Sequence, residues 1–202
     1  VFFWSLFSRG LVYTIMPTVG ADLRLSSATV GAVIASLLLG NSVGQWSGAR
    51  LPSSRKARIL AGTVLSIPAA ALLSRADSLW LLLVAAPVLG FGTGIYQPIG
   101  ISLIVEYAGT YNRARYMALH EFVGTAGSFF GSASIAFILA LTDWHGAILG
   151  ACLVGLVAAI AFIPVSDTKY AARSTVAREP IPVDGRIVYS VIAQVSVAIL
   201  LM

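Results

Sequence analysis

Charged side chains are scarce in this sequence of 202 residues, since Asp, Glu, Lys and Arg make up only 10% of it. Soluble domains carry about 25% charged residues and about 45–50% apolar ones. Here the apolar fraction is 58%. So few charges cannot cover a surface in contact with water, and we therefore expect lipid to be the solvent for most of the chain.

Groups that would support catalysis or bind a metal are also scarce. The single cysteine, Cys152, excludes an intrachain disulfide and a cysteine-based metal site. The histidines are His120 and His145, and most of the acids lie in turns between apolar runs, so no catalytic set assembles within the membrane. We therefore predict that the chain is not an enzyme and that it has no cofactor and no metal.

A net charge of +5 would suggest a nucleic-acid partner in a soluble protein. The basic residues lie between apolar segments, however, which favours a membrane protein whose partner is the lipid bilayer, with no nucleic acid. The chain begins at Val1 without a basic segment, so a cleavable signal peptide is not expected. Val1 and Met202 both fall in apolar runs, which suggests a fragment of a longer protein.

Apolar runs of about 20 residues, enough for a helix to cross a bilayer, recur along the chain. Residues 1–165 are predicted to form a bundle of six spans. The spans are about 1–19, 29–48, 59–73, 79–107, 116–141 and 146–165. Residues 166–186 are predicted to be a cytoplasmic linker, and 187–202 the truncated start of a seventh span. Pro87 and Pro98 interrupt the fourth run, where we expect a bend or a close crossing.

Basic residues follow the second, fourth and sixth spans and are rare in the other turns. They are Arg50, Arg55, Lys56, Arg58, Arg113, Arg115, Lys169, Arg173, Arg178 and Arg186. The other turns hold only Arg24 and Arg75, each near an acid. Because basic loops remain on the cytoplasmic side, we predict a multi-pass protein of the plasma or inner membrane with a cytoplasmic N-terminus.

Glycines recur at spacings of three or four residues in three of the spans. The rows are Gly40, Gly44 and Gly48; Gly124, Gly127 and Gly131; and Gly146 and Gly150. Small residues in such rows let helices approach closely in lipid. We therefore expect a tightly packed bundle.

Two turns resemble those of the major facilitator superfamily. Residues 17–26, with a proline near the end of the first span followed by an amphiphilic stretch, are similar to the first external turn of that family. Residues 44–58 lie where the family carries Gly-x-x-x-Asp-Arg followed by basic residues. Gly44 matches, but Gly48 and Ala49 replace the Asp-Arg pair, which puts a conventional Asp-based gate in doubt.

Three further motifs resemble the same family. Glu106 and Arg113 are similar to a Glu…Arg pair on its cytoplasmic side, and Arg115 follows. Residues 92–98 resemble the Gly-x-Gly…Tyr-x-Pro pattern of drug and organic-anion members. Residues 164–167 are similar to the end of the sixth helix in that family.

The resemblance implies an all-α fold, the six-helix inverted-repeat half of a major-facilitator-type transporter. The substrate site would lie near the midplane, between this half and the C-terminal half of the same transporter. We therefore expect a secondary active transporter of a small solute, with drug-like or organic-anion substrates and proton coupling as candidates, and symport or antiport left open. A sensor or scaffold without transport is the alternative, and a membrane-embedded enzyme is less favoured.

The first span must include Arg9 if it is to cross the membrane. From Gly10 to Ala21 the helix is only about 18 Å long, too short for about 30 Å of hydrocarbon. A guanidinium at depth should face a cavity or a partner. We predict that Arg9 binds an anionic or carbonyl-bearing substrate, with Tyr13 on the same face. A structural ion pair, or an Arg that extends to the cytoplasmic surface, is the alternative.

Four polar residues are predicted to line the substrate cavity with Arg9. Tyr96 and Gln97 lie near the midplane of the fourth span, where an amide is costly unless it is hydrogen-bonded or hydrated. Asn41 and Gln45 are four residues apart and share one face of the second span. For this pair, hydrogen bonds between helices are the slightly favoured role, and lining of the cavity is the other.

His120 and Glu121 are adjacent about one turn inside the fifth span. A His–carboxylate pair suits proton coupling, and a structural pair near the cytoplasmic gate is the alternative. Glu106, Arg113 and Arg115 are predicted to serve gating or structure rather than substrate binding.

Overall fold

The computed structural model describes residues 1–165, which form seven α-helices and no β-strand. The helices are α1 (Phe2–Asp22), α2 (Ser27–Arg50), α3 (Arg55–Leu73), α4 (Leu79–Gly94), α5 (Tyr96–Tyr107), α6 (Gly109–Ile138) and α7 (Trp144–Phe162). Each predicted apolar run contains a helix, which confirms the all-α prediction for this part of the chain. The predicted linker, 166–186, and the predicted start of a seventh span, 187–202, lie outside the described residues.

Side-chain caps mark where three of the helices begin. Ser26, Ser54 and Asp143 accept hydrogen bonds from the backbone N–H groups three residues further on, at Thr29, Ala57 and Gly146 respectively. The first turn of a helix leaves these N–H groups without partners, so a short side-chain acceptor stabilises the start. The caps therefore fix the first residues of α2, α3 and α7.

The fourth apolar run is split into α4 and α5 at Ile95, three residues before Pro98. Proline has no N–H to donate to the carbonyl four residues earlier, and its ring crowds that carbonyl. The interruption at Ile95 therefore lies in the turn that precedes Pro98, which agrees with the expected bend. Pro87 lies inside α4, which continues through it, and its backbone lies against Gly40 of α2. Pro87 thus marks a close crossing rather than a break.

Four segments of the described chain are long and apolar enough to cross a membrane. They are Ser27–Arg50, Arg55–Leu73, Leu79–Glu106 and Trp144–Phe162, the third of which joins α4 and α5. α1 and α6 have 21 and 30 residues, which is sufficient length, but they carry more polar side chains. The count of six spans thus remains a prediction.

Two glycine rows lie at the closest helix crossings. A Cβ at Gly40, Gly44 or Gly48 of α2 would collide with the backbone of α4 or Ile95, and α2 packs mainly against α4. The row of α6 faces α1, where Gly127 and Gly131 lie against the backbone of Phe3 and Phe7. These contacts agree with the expected tight packing.

The prediction for the third glycine row is wrong. Among the described residues, a Cβ at Gly150 would meet nothing within 4 Å, and one at Gly146 would meet only Thr142 and Asp143 of the preceding turn. The surface of α7 at Gly150 is exposed, so spacing alone did not indicate a helix contact there.

Large apolar side chains are fully buried between α1 and the other helices, and others are exposed on the outside of the bundle. Trp4, Ile15 and Met16 of α1 are at most 1% exposed. On the outside, Phe129 and Phe137 of α6 and Leu153 of α7 are 64–69% exposed. An apolar exterior of this kind is expected where the surrounding solvent is lipid.

Candidate functional site

A group of polar side chains, here called the polar cluster, lies between α1, α2 and α4. It consists of Arg9, Asn41, Gln45 and Thr93. Asn41 is only 4% exposed, and its Oδ1 accepts hydrogen bonds from Arg9 Nη2 at 3.0 Å and from Gln45 Nε2 at 2.8 Å. Its Nδ2 donates to the carbonyl of Gly90 at 3.3 Å. Both the oxygen and the nitrogen of the buried Asn41 amide are thus hydrogen-bonded, and these bonds connect α1, α2 and α4.

The close approach of α2 and α4 places Asn41 in this position. Gly90 and Gly94 of α4 lie against the backbone of Leu37 and Asn41, where any side chain would collide. Glycine at both positions lets the two backbones meet, so the short Asn41 side chain can reach the carbonyl of Gly90. The predicted shared face of Asn41 and Gln45 is confirmed by their mutual hydrogen bond.

Arg9 is half-buried in α1, and its hydrogen-bond partner is the neutral amide of Asn41. Its Nε is buried without a hydrogen-bond partner, and no ion pair to Arg9 is found within residues 1–165. Guanidinium carries five donors in a planar fork. Within residues 1–165, Asn41 is the acceptor for one of these donors.

Tyr13 lies one turn beyond Arg9 on α1 and is 37% exposed. Residues four apart share one helix face, so the phenol and the guanidinium border the same side of α1. No hydrogen bond of the Tyr13 side chain is found among the described residues. The position is compatible with contact to a solute and equally with contact to another helix.

Thr93 of the polar cluster and Ser5, which is hydrogen-bonded to it, were not predicted from the sequence. The Ser5 hydroxyl donates to the carbonyl of Thr93 at 3.1 Å, and Thr93 Oγ1 lies 3.5 Å from Asn41 Nδ2. Both side chains are buried, at 4% and 6% exposure. The available signal was the recurrence of Ser5, Ser8 and Arg9 along one apolar helix.

A second group of side chains borders a cleft of about 360 Å³, here called the aromatic cleft. Its lining comprises Val1, Phe2, Phe3, Tyr96, Ile104, Tyr116, Leu119, His120 and Val123. The predicted cavity residue Tyr96 is thus brought together with His120, with ring centroids 5.9 Å apart. Gln97 is half-buried, is not among the lining residues and makes no side-chain hydrogen bond to the described residues.

His120 is well covered, with 7% of its side chain exposed. Its Nδ1 lies 3.3 Å from Oε1 of Glu121, whose side chain is 59% exposed, and its Nε2 is buried without a partner. The imidazole stacks on Phe2 at 3.8 Å, a contact that the sequence did not indicate. Within residues 1–165 no group of three or more His, Cys, Asp or Glu side chains could hold a metal ion.

Glu106 forms an ion pair with Arg55 of α3 rather than with Arg113. The distance from Arg55 Nη1 to Glu106 Oε2 is 2.5 Å, and both side chains are largely buried. Arg113 instead donates to the carbonyl of Val105 at 3.3 Å, and Arg115 is exposed. The sequence favoured Arg113 because it is near Glu106 along the chain, whereas packing of α3 beside α5 brings Arg55 closer.

The family model of the Major Facilitator Superfamily matches residues 1–202. Because the match extends over the whole chain, the chain belongs to that superfamily. Its members are membrane transporters, so the chain is a multi-pass membrane protein of the transporter class. No curated protein matches the chain.

Proposed function

We propose that this member of the major facilitator superfamily is a secondary active transporter whose polar cluster binds the carboxylate or carbonyl group of a small solute. The observation that carries the proposal is the half-buried Arg9, which contacts a neutral amide and no carboxylate within residues 1–165. Keeping an unpaired charge at membrane depth costs at least about 2.5–3.5 kcal/mol. A solute anion would offset part of that cost.

Transport would follow from alternating access, with this half and the C-terminal half of the transporter rocking about a solute held between them. Asn41 and Gln45 would orient the guanidinium, and Tyr13 would border the solute one turn further along α1. The hydrogen bonds of Asn41 to Arg9 and to Gly90 support this role, since they hold the guanidinium in place through its Nη2 alone. Drug-like molecules with a carboxylate and simple organic anions both meet this requirement.

His120 and Glu121 are the proposed site of proton coupling. Imidazole is the side chain whose charge changes most readily near physiological pH. Its contact with Glu121 supports the proposal, because it brings an imidazole and a carboxylate together at 3.3 Å. Whether the proton moves with the solute or against it would decide between symport and antiport.

The cytoplasmic gate in this proposal uses Glu106 with Arg55, while Arg113 and Arg115 form the basic edge of the turn that follows. The family's Asp-Arg pair is replaced by Gly48 and Ala49, so another contact must hold the ends of the helices together. The Arg55–Glu106 ion pair, which connects α3 with α5, supports this assignment. Basic turns at this end also favour a cytoplasmic N-terminus in the plasma or inner membrane.

A sensor or scaffold that no longer transports is the second candidate, because the Asp-Arg pair is missing. Uptake into liposomes separates the two functions. The intact transporter would be reconstituted and supplied with radiolabelled lactate, succinate, benzoate or indole-3-acetate. Transport predicts accumulation of at least one probe above protein-free liposomes, whereas a sensor would bind a probe, detected by a raised melting temperature, without moving it.

A further inference from the structure

Four residues on one side of α2 form a continuous face, here called the outer stripe. They are Leu39, Val43, Trp46 and Arg50. The three apolar members are 68%, 47% and 61% exposed, and Arg50, the last residue of α2, is exposed as well. At about 100° per residue, the four positions fall within about 60° of one another around the helix. The outer stripe is therefore one apolar face that ends in a guanidinium.

The outer stripe points away from the polar cluster. Asn41 and Gln45, which face α1 and bind Arg9, lie roughly 150° away around α2. Gly44, which packs against the backbone of Phe91, marks the side toward α4 and is roughly 130° away. The outer stripe thus faces neither of the helices that pack on α2 nor the proposed solute site, so the surrounding lipid is the expected contact.

The length of the outer stripe matches one leaflet of a bilayer. From Leu39 to Arg50 the helix rises about 16 Å, and half of the hydrocarbon thickness is about 15 Å. Tryptophan is enriched at the membrane–water interface, and arginine extends beyond it toward the headgroups. The order of Leu39, Trp46 and Arg50 along α2 is therefore the order of chain, interface and headgroup in a lipid.

Trp46 positions the guanidinium at the end of this face. The Cζ of Arg50 lies 4.5 Å from the centroid of the Trp46 ring, which is a cation–π contact. Residues four apart share a helix face, so the contact lies along the outer stripe. The charge is thereby held over the apolar face rather than extended into water.

Arg50 differs from the other basic side chains at this end of the bundle. Arg55 pairs with Glu106. Lys56 and Arg58 each donate to a backbone carbonyl group. In the part of the chain that the structure describes, the Arg50 guanidinium has neither a hydrogen bond nor an ion pair. Guanidinium binds phosphate through two parallel N–H donors, so a headgroup phosphate complements this charge.

We propose that the outer stripe binds an anionic phospholipid of the leaflet at this end, which the basic turns predict to be the cytoplasmic one. The phosphate binds Arg50, and one acyl chain lies along Trp46, Val43 and Leu39. The apolar length of the stripe favours a lipid over a soluble phosphate, which would contact the guanidinium alone. The inference goes beyond the proposed function, because the outer stripe contains no residue of the solute site.

The test uses Trp46 itself as the reporter. Acyl chains that carry bromine quench tryptophan fluorescence on contact. The intact transporter is reconstituted in phosphatidylcholine bilayers that contain an equal, small fraction of brominated phosphatidylglycerol or brominated phosphatidylcholine. The emission of Trp46 is the difference between the wild type and Trp46→Phe, which removes the contribution of all other tryptophans. Phosphatidylglycerol should quench Trp46 as though it were about three- to tenfold enriched there.

The preference should depend on one arginine. In Arg50→Gln, measured against its own Trp46→Phe background, the ratio of the two lipids should fall to about one. Arg75→Gln removes an exposed arginine from the turn between α3 and α4 and should retain the wild-type ratio. A preference that survives in Arg50→Gln would overturn the proposal.

Two further outcomes overturn the proposal without any change at Arg50. Equal quenching by the two lipids would show that the outer stripe does not select an anionic headgroup. Absence of quenching by either lipid would show that a protein segment covers Trp46. Glycerol 3-phosphate, added at constant ionic strength, carries the phosphate without acyl chains and should leave the preference intact. Loss of the preference on that addition would assign Arg50 to a soluble phosphate and overturn the lipid assignment.

Discussion

Arg9 of α1 donates through Nη2 to Oδ1 of Asn41 on α2, 3.0 Å away, and this contact connects a half-buried charge to a buried amide. The same oxygen accepts from Gln45, and the amide nitrogen donates to the carbonyl of Gly90. Asn41 is therefore the residue on which the orientation of Arg9 depends.

Asn41→Ala should lower both stability and transport. The substitution removes the acceptor for Arg9 and Gln45 and leaves the carbonyl of Gly90 without that donor. Hydrogen bonds between membrane helices contribute about 0.6 kcal/mol each, at most about 1.7, so a loss of about 1–3 kcal/mol is expected. The measurement is thermal unfolding in detergent. Ser42→Ala is the control, because that exposed hydroxyl bonds only to Leu38 of its own helix; an equal effect of the two changes would contradict the prediction.

Gly44→Ala should destabilise the bundle, and Gly150→Ala should not. A Cβ at Gly44 would collide with the backbone carbonyl of Phe91, whereas one at Gly150 would meet no atom of residues 1–165 within 4 Å. Overpacking at a tight contact costs about 1–3 kcal/mol. Melting temperatures of the two variants, measured side by side, give the comparison. Indistinguishable melting temperatures would show that α2 and α4 do not pack this closely.

The Arg55–Glu106 ion pair should be energetically coupled, and Arg113 should not be coupled to Glu106. Arg55→Gln, Glu106→Gln and the double variant form a thermodynamic cycle, for which we expect a coupling energy of about 1 kcal/mol. The matched cycle with Arg113→Gln should give a value near zero, since Arg113 donates to the carbonyl of Val105. Larger coupling to Arg113 than to Arg55 would restore the pair that the sequence suggested.

His120→Gln should uncouple transport from a proton gradient. In liposomes with an imposed pH difference, gradient-driven accumulation of the transported carboxylate should fall about tenfold or more. Exchange of labelled for unlabelled solute without a gradient should persist, because exchange needs no net proton movement. His145→Gln should retain both activities. Gradient-driven accumulation by His120→Gln at the wild-type level would remove His120 from the coupling path.

The helices could be predicted largely from the sequence, because apolar runs long enough or nearly long enough to span a membrane recur along the chain. The run from 79 to 107 shows the limit of that approach, since it contains two prolines. Pro98 interrupts the helix at Ile95, whereas Pro87 is tolerated inside α4, and sequence alone does not separate these outcomes. The choice depends on how neighbouring helices accommodate the freed carbonyl.

The members of the candidate site were predicted better than their partners. The shortness of the segment after Arg9 placed this residue in the membrane, and helical spacing placed Asn41 and Gln45 on one face of the second span. That Arg9 contacts Asn41, that Glu106 contacts Arg55, and that Phe2 covers His120 all depend on which helices are neighbours. Such contacts join residues far apart in sequence, and periodicity carries no information about them.

The central claim is that Arg9 binds the solute, and uptake by Arg9→Gln tests it most directly. The probe is the radiolabelled carboxylate that the wild-type transporter accumulates in liposomes. The control for loss of charge is Arg75→Gln, at an exposed arginine in the turn between α3 and α4. Hydrogen bonds to charged groups contribute about 1.5–3 kcal/mol. The kcat/KM for uptake should therefore fall by about one to two orders of magnitude in Arg9→Gln and stay unchanged in Arg75→Gln. Uptake by Arg9→Gln at the wild-type rate would contradict the account.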